Sequence, residues 1–241
     1  MNSYQMQNNK KKVSINSVSK LYENSEILHD INMEIYEGEF VSILGPSGCG
    51  KSTIFNMITG LTGTDGGNIE VDGKSSYMYQ NDLLLPYKNI IDNVSLPLIL
   101  RKEKRAEARE VVKPLFSEFG IDGYEYKYPD ELSGGMRQRA NFLRTYINSD
   151  DIMLLDEPFG SLDSITRASM QQWLVDVKEK VNSTILLITH DIDEALMLSD
   201  RIYVLSGHPA EIKRTIVVDK DDDASKNQKI KKEILELLKN N

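Results

Sequence analysis

Val13 and Ile15, and then Ile31, Met33 and Ile35, alternate with polar residues, the period-two signature of strands with one buried face. Glu37-Gly38 turns the second run back into the continuous apolar stretch Phe40–Leu44. The pattern therefore predicts an antiparallel β region that leads into whatever follows Leu44. Asp65-Gly66-Gly67-Asn68 and Asp72-Gly73 bracket Ile69–Val71 with turn chemistry on both sides, which predicts another short strand. From about Asn89 to Asn148 the spacing turns helical and charge is dense, notably over Arg101–Glu110, with Ser133-Gly134-Gly135 as an interruption. This predicts a helical lobe inserted into the core. Ile152–Leu155 and Ile185–Ile188 are short continuous apolar runs of the kind found in buried parallel strands, separated by the amphipathic Ser164–Lys180. Strand, helix and strand in that order mean an α/β fold with a parallel sheet.

Beyond Asp219 the composition changes. Three consecutive aspartates precede Ser225-Lys226-Asn227-Gln228, which has the spacing of a capping box. A helix is expected to start there, with Ile230, Ile234, Leu237 and Leu238 on one face. That face can dock on the chain's own core or on a partner.

With 241 residues, the chain can bury the core of one domain, or of one domain with a lobe, but not of two full α/β domains. The 29 Lys and Arg against 37 Asp and Glu leave a net charge of −8, which argues against a protein that coats duplex nucleic acid. No nucleic-acid partner is expected. Residues 1–12 read as a flexible polar tail without the apolar segment of a signal peptide. No run approaches the roughly 20 apolar residues of a spanning helix, so membrane association is expected only through a partner. The one cysteine, Cys49, cannot form an internal disulfide, which fits a reducing cytosol.

The chemistry begins where the first apolar run ends. Gly45-Pro46-Ser47-Gly48-Cys49-Gly50-Lys51-Ser52 lies between Phe40–Leu44 and the helix-like Thr53–Ile58, the strand-loop-helix context that a phosphate-binding loop requires. The glycines let the backbone turn its N–H groups toward phosphate, and the helix N-terminus adds a favourable dipole. Lys51 supplies a point charge to the β- and γ-phosphates and Ser52 a hydroxyl to Mg²⁺. A nucleoside triphosphate is the expected ligand. Cys49 lies at the mouth of this helix N-terminus, where thiolate character is expected, so alkylation should inactivate and bound ATP should protect.

Ile152-Met153-Leu154-Leu155-Asp156-Glu157 is an apolar strand ending in two carboxylates. In a chain with a phosphate loop, Asp156 is placed to hold Mg²⁺ and Glu157 to orient and deprotonate the attacking water. Leu132-Ser133-Gly134-Gly135-Met136-Arg137-Gln138-Arg139 offers a second helix N-terminus for an anion, with Ser133 as N-cap and paired glycines that permit close approach. In the order phosphate loop, Leu-Ser-Gly-Gly, Asp-Glu strand, the chain resembles the ATP-binding cassette (ABC) ATPases over roughly Val13 to Val218. The resemblance implies a P-loop NTPase core with a parallel sheet, an N-terminal antiparallel β-subdomain and an inserted α-helical subdomain at about 89–148. Residues 219–241 would then form an appended C-terminal helix.

The same resemblance makes Gln80 the Q-loop glutamine, a Mg²⁺ contact. Gly160-Ser161-Leu162-Asp163 becomes the D-loop, His190 the switch histidine and Tyr22 the aromatic that stacks on adenine. Gly45, Pro46, Ser47, Gly48, Cys49, Gly50, Lys51, Ser52 and Thr53 would line the phosphates within one subunit. Ser133, Gly134, Gly135 and Asp163 would face the nucleotide held by a second copy. Glu157-Pro158-Phe159-Gly160-Ser161-Leu162-Asp163 with Thr166-Arg167, then Thr189-His190-Asp191-Ile192-Asp193-Glu194-Ala195, is similar to the ATPases of nitrate, sulfonate and taurine importers and their vitamin-precursor relatives.

What the resemblance implies is a head-to-tail homodimer that closes on ATP and reopens on hydrolysis. The dimer would drive transmembrane permease subunits from the inner face of the cell membrane, with an extracytoplasmic solute-binding protein in the complex. The solute would be a small anion or a vitamin precursor. Leu83–Tyr87, next to Gln80, is either a permease docking stretch or ordinary core packing. Two other classes compete: a soluble ABC-type protein of DNA maintenance or translation, and a small-molecule kinase or GTPase. The first usually carries two cassettes or a long coiled coil. The second needs no Ser133-Gly134-Gly135, and the chain lacks a guanine-reading Asn-Lys-x-Asp.

Overall fold

The computed structural model describes residues 10–23, 25–149, 151–178, 181, 183–219 and 224–239, without the side chains of 224–226. The chain packs as two compact units, Met1–Ser75 with Ser183–Asn241, and Ser76–Asn182.

The first unit runs β1 (Lys11–Tyr22), β2 (Ser25–Tyr36), β3 (Phe40–Leu44), α1 (Lys51–Ile58) and β4 (Gly66–Val71). After the second unit it resumes with β7 (Thr184–Thr189), α8 (Ile192–Leu198), β8 (Arg201–Ser206), β9 (Glu211–Val217) and α9 (Ala224–Lys239). β2, β1 and β4 form a three-stranded sheet in that order, both pairs antiparallel. Val13 lies opposite Ile35 and Val71, and Ile15 opposite Met33 and Ile69. Val13, Ile15, Ile31, Met33 and Ile35 are all buried, so the period-two alternation marks one covered face. Pairing starts at Lys11 and Lys12 is buried, which places 11 and 12 in the sheet rather than in a flexible tail. Residues 1–9 of that expected tail lie outside the described residues.

The antiparallel expectation fails at β3. This strand pairs in parallel with β7, Phe40 opposite Ile185 and Leu44 opposite Thr189, and in parallel with β8. All five β3 residues are buried, as in a central strand covered on both faces. Glu37-Gly38 therefore moves the chain from one sheet to the other instead of closing a hairpin. β9 adds antiparallel to β8, giving the order β7-β3-β8-β9 in this unit. On this sheet Leu44, Ile192, Ala195, Ile202, Val204, Ile216 and Val218 enclose Ile234 of α9, with Ile230 and Leu238 partly buried around them. The C-terminal helix thus docks on the chain's own core. The side chain of Ser225, which opens the expected capping box Ser225–Gln228, lies outside what is described, as do the three preceding aspartates.

The second unit begins with β5 (Ser75–Met78) beside β6 (Ile152–Asp156). Between them run α2 (Ile90–Val94), α3 (Leu96–Leu100), α4 (Arg105–Val112), α5 (Leu115–Glu118) and α6 (Gly134–Asn148), and α7 (Ser164–Lys178) follows β6. Residues 179 and 180 of the expected 164–180 helix are not described. The helical spacing in the sequence is broken into short pieces because Pro97 and Pro114 open new helices. Phe119 holds α6 and α7 together, its ring centroid 6.0 Å from Phe142, 5.4 Å from Tyr146 and 5.8 Å from Trp173. Asp92 of α2 is buried between Arg105 and Arg109 of α4. Burial alone would raise this carboxyl, but the two guanidinium groups hold it down to about 2.

Candidate nucleotide-binding site

Leu44 ends β3 and Lys51 opens α1, and the six residues between them form a loop bent at two left-handed glycines, Gly48 at φ 82° and Gly50 at φ 97°. Gly50 is the N-cap of α1, and no side chain caps the helix. A Cβ on Gly50 would stand 2.8 Å from Leu28 Cδ2, and one on Gly45 would stand 2.7 Å from the Leu205 carbonyl oxygen. Space therefore demands glycine at Gly45, against a backbone carbonyl, and the left-handed conformation demands it at Gly50. Lys51 is buried, and its Nζ donates to the carbonyls of Gly45 at 2.9 Å and Pro46 at 2.8 Å. This ties the first turn of the helix to the start of the loop. Ser47, Gly48 and Ser52 are exposed beside it, with Pro46 and Thr53 half-buried. A helix N-terminus without a side-chain cap, an adjacent ammonium and an exposed hydroxyl together fit a polyphosphate.

Cys49 departs from expectation. The residue is 1% exposed, and burial raises the thiol pKa despite the nearby Lys51 charge. The two flanking left-handed glycines turn this side chain inward, so it is a packing group rather than a thiolate at the loop mouth.

In the same unit Tyr22 stands at the end of β1, half-exposed, with Lys20 Nζ 5.4 Å from its ring centroid. His190 follows β7 and is exposed. The turn around it is fixed on both sides: Thr189 Oγ1 donates to Glu194 Oε2 at 2.5 Å and accepts from the Asp191 amide at 2.9 Å. Asp191 caps α8 by accepting from the amides of Asp193 and Glu194.

The second unit brings together the acidic pair and the glutamine. Asp156 ends β6, 7% exposed, and accepts a hydrogen bond from the Tyr77 hydroxyl at 2.8 Å on Oδ2. Burial and the Asp156 charge push the Tyr77 hydroxyl far above its ordinary pKa, so it donates. Glu157 has φ 43°, a left-handed conformation that costs a non-glycine residue on the order of 1–3 kcal/mol and concentrates at functional sites. Gln80 is exposed and its Nε2 lies 3.5 Å from Glu157 Oε2. Among the described residues no group of three or more His, Cys, Asp or Glu could cage a metal ion. Mg²⁺ does not need one, because it is commonly held by one or two protein oxygens and substrate phosphates.

Ser133 opens α6, and its Oγ accepts from the Met136 amide at 3.4 Å. Gly134 is half-buried and Gly135 buried. A Cβ on Gly135 would come 2.8 Å from Thr166 Cγ2, so this glycine is required by the contact with α7. Asp163 caps α7: its Oδ1 accepts from the amides of Ile165 and Thr166, both at 3.1 Å, and its Oδ2 from Thr166 Oγ1 at 2.6 Å. These bonds, the Thr166 hydroxyl foremost, hold its carboxyl below the usual range.

Tyr77, Arg137 and Arg144 carry roles that no sequence motif announces. Arg137 Nε donates to Asp82 Oδ2 at 3.1 Å, and Arg144 donates to the carbonyls of Asp82 at 2.7 Å and Leu83 at 2.9 Å. Both tie α6 to the segment after Gln80. In that segment Leu84 is buried while Leu83 and Tyr87 are 54% and 73% exposed, so the stretch is part core and part surface.

Residues 28–160 match the family described as ABC transporter. The chain belongs to that family. ABC transporter relatives match over most of its length. A formylaminopyrimidine import ATP-binding protein, ThiZ, of Halalkalibacterium halodurans is 47% identical over 203 residues, 83% of this chain and 82% of the relative. An aliphatic sulfonates import ATP-binding protein, SsuB, of Bacillus cereus is 37% identical over 244 residues, 93% of this chain and 94% of the relative. Among solved structures, the dimeric ABC transporter cassette MJ0796 matches with TM-score 0.74 and 30% identity over 86% of this chain and 99% of that one. The ABC chain is an ATP-binding, ATP-hydrolysing cassette with the α/β fold that its strand order displays. No helix among its described residues is long and apolar enough to cross a membrane.

Proposed function

We propose that this ABC ATPase powers an import system for a small anionic or vitamin-precursor solute, working as a head-to-tail homodimer on permease subunits at the inner face of the cell membrane. An extracytoplasmic solute-binding protein completes the complex. The import direction and solute class are supported by the functions of the relatives, one for formylaminopyrimidine and one for aliphatic sulfonates. The observation that carries the ATPase reading is the buried Lys51 ammonium at the N-terminus of α1, where no side chain caps the helix.

In this reading Lys51 and the amides of Ser47, Gly48, Gly50, Ser52 and Thr53 surround the β- and γ-phosphates, while Gly45 and Cys49, whose amides donate to the Thr189 and Pro46 carbonyls, and Pro46, which has no N–H, shape the loop. Tyr22 stacks on the adenine. Ser52, Asp156 and Gln80 would hold Mg²⁺, which when bound would supply charge neutralisation for the phosphates. Glu157 takes a proton from the attacking water as its oxygen bonds to the γ-phosphorus and the β–γ bridging bond breaks, releasing ADP and phosphate. The 3.5 Å approach of Gln80 to Glu157 keeps the base beside the glutamine. His190 donates to the γ-phosphate. Ser133, Gly134 and Gly135 face the γ-phosphate held by the second copy, and Asp163, whose ionised carboxylate caps α7, shapes the adjoining loop. Loss of the γ-phosphate on hydrolysis then releases the two copies.

Glu157→Gln keeps the side chain's size but removes the base. Hydrolysis should fall by about 10²–10⁴-fold while ATP affinity stays near that of the parent. Hydrolysis at the parental rate would remove Glu157 from this role.

A further inference from the structure

The hydrogen bond between Tyr77 and Asp156 has no part in phosphate binding or water activation, although it ends on the carboxylate assigned to Mg²⁺. Tyr77 lies on β5, next to β6, and Ser76 of the same strand approaches the Ile152 carbonyl at the start of β6, Oγ to O 3.5 Å. The backbone of the donor is therefore fixed relative to that of the acceptor. The ring is fixed too: it stacks on Tyr79 with centroids 4.1 Å apart and planes at 14°. From this anchored ring the hydroxyl reaches Asp156 Oδ2 at 2.8 Å, within the normal range for an O–H donor.

The consequence concerns the carboxylate plane. The terminal torsion of an aspartate is broad and roughly two-fold, so a buried Asp156 needs an external donor to present one orientation. Carboxylates that bind metals are commonly oriented by such a hydrogen bond from a neighbouring group. A purely structural bond would serve as well with a neutral acceptor; here the acceptor is the residue that ends the apolar strand where the chemistry lies.

We propose that Tyr77 is a positioning residue which sets the orientation of the Asp156 carboxylate toward the divalent cation that accompanies the nucleotide. This rests on the role of Asp156 proposed above. Tyr77 is placed to act through Asp156, whose Oδ2 its hydroxyl reaches.

The test uses the full chain with a non-hydrolysable ATP analogue and Mn²⁺ as the probe ion, its binding followed by electron paramagnetic resonance. Tyr77→Phe keeps the ring and the stack on Tyr79 and removes the hydroxyl. Mn²⁺ affinity should drop by about 10–100-fold, the range for loss of such a partner, with nucleotide affinity measured without the metal unchanged. Half-saturating Mg²⁺ for hydrolysis should rise in step, and saturating Mg²⁺ should recover most of the rate. Tyr77→Gln, which returns a donor without the ring, should bind Mn²⁺ more tightly than Tyr77→Phe. If Tyr77→Phe lowers thermal stability but leaves Mn²⁺ affinity within about two-fold of the parent, or if Tyr77→Gln binds more weakly than Tyr77→Phe, the proposal is overturned. Asp156→Asn separates this from failure of the underlying reading: if it too leaves Mn²⁺ binding intact, Asp156 is not a ligand, whereas a loss in Asp156→Asn with none in Tyr77→Phe removes Tyr77 alone.

Discussion

Two helices of this molecule begin in glycine-rich sequence, and they are built differently. At α1 the N-cap is Gly50, left-handed and without a side-chain cap, with Lys51 buried in the first turn. At α6 the N-cap is Ser133, whose hydroxyl accepts from Met136, and the following glycine pair is used within the unit, since Gly135 packs on Thr166. The first arrangement sets a helix N-terminus and a positive charge side by side, as a strongly anionic ligand requires. The second satisfies the helix with a neutral group whose 3.4 Å bond is at the weak end of the hydrogen-bond range, so the Ser133 hydroxyl is readily redirected to another partner. In the proposed mechanism one N-terminus would hold phosphate in a single subunit, and the other would recognise it when a second subunit presents it.

The comparison can be broken at α1 with the largest effect. Lys51→Ala removes a buried donor of charge-assisted bonds, each worth about 1.5–3 kcal/mol. ATP affinity should fall by roughly 100-fold or more, since about 1.4 kcal/mol is tenfold. Titration of a fluorescent ATP analogue checks this, and near-parental affinity would mean that the loop does not hold the triphosphate. Ser133→Arg should act on the other helix alone. ATP binding to the single subunit should stay within about two-fold of the parent, while hydrolysis falls about 100-fold, the order of loss that misplacement of reacting groups produces. Loss of binding in this variant would erase the distinction between the two N-termini. The smallest effect concerns Cys49. Because burial covers the thiol and raises its pKa, alkylation of the folded chain should run several-fold slower than in urea. Saturating ATP should change the folded rate little. Fast labelling that ATP suppresses would instead place the thiol at the open mouth of the loop.

How far these features could be read from sequence depends on how local their causes are. The alternation of Val13, Ile15, Ile31, Met33 and Ile35 reports one covered face, and the strands follow it. Phe40–Leu44 carries no such information. Its five residues are all buried, so neither face is marked, and its partner strands, reached at Ile185 and Arg201, are remote in the chain. An antiparallel return is the local inference, and the parallel sheet overrides it. The run Ile202–Leu205, buried in β8, offers the same apolar signal as Ile185–Ile188 without the flanking motif that draws attention to a strand. The burial of Cys49 is hidden for another reason: its direction is set by the left-handed Gly48 and Gly50, a backbone property that composition does not specify. At the site, motif residues are legible because each has a fixed offset from Lys51, Ser133 or Asp156. Tyr77 is not, because its relation to Asp156 exists only once β5 lies beside β6.

The claim that the two helix N-termini serve one nucleotide from two subunits is tested most directly by the mass of Glu157→Gln in solution. Light scattering after size exclusion, with and without Mg-ATP, should give the 27.4 kDa of one chain in the absence of nucleotide and double that value in its presence. Adding Ser133→Arg to the same chain should return the mass to that of one copy even with ATP bound. A mass that ignores ATP in Glu157→Gln, or a dimer that survives Ser133→Arg, would contradict the account.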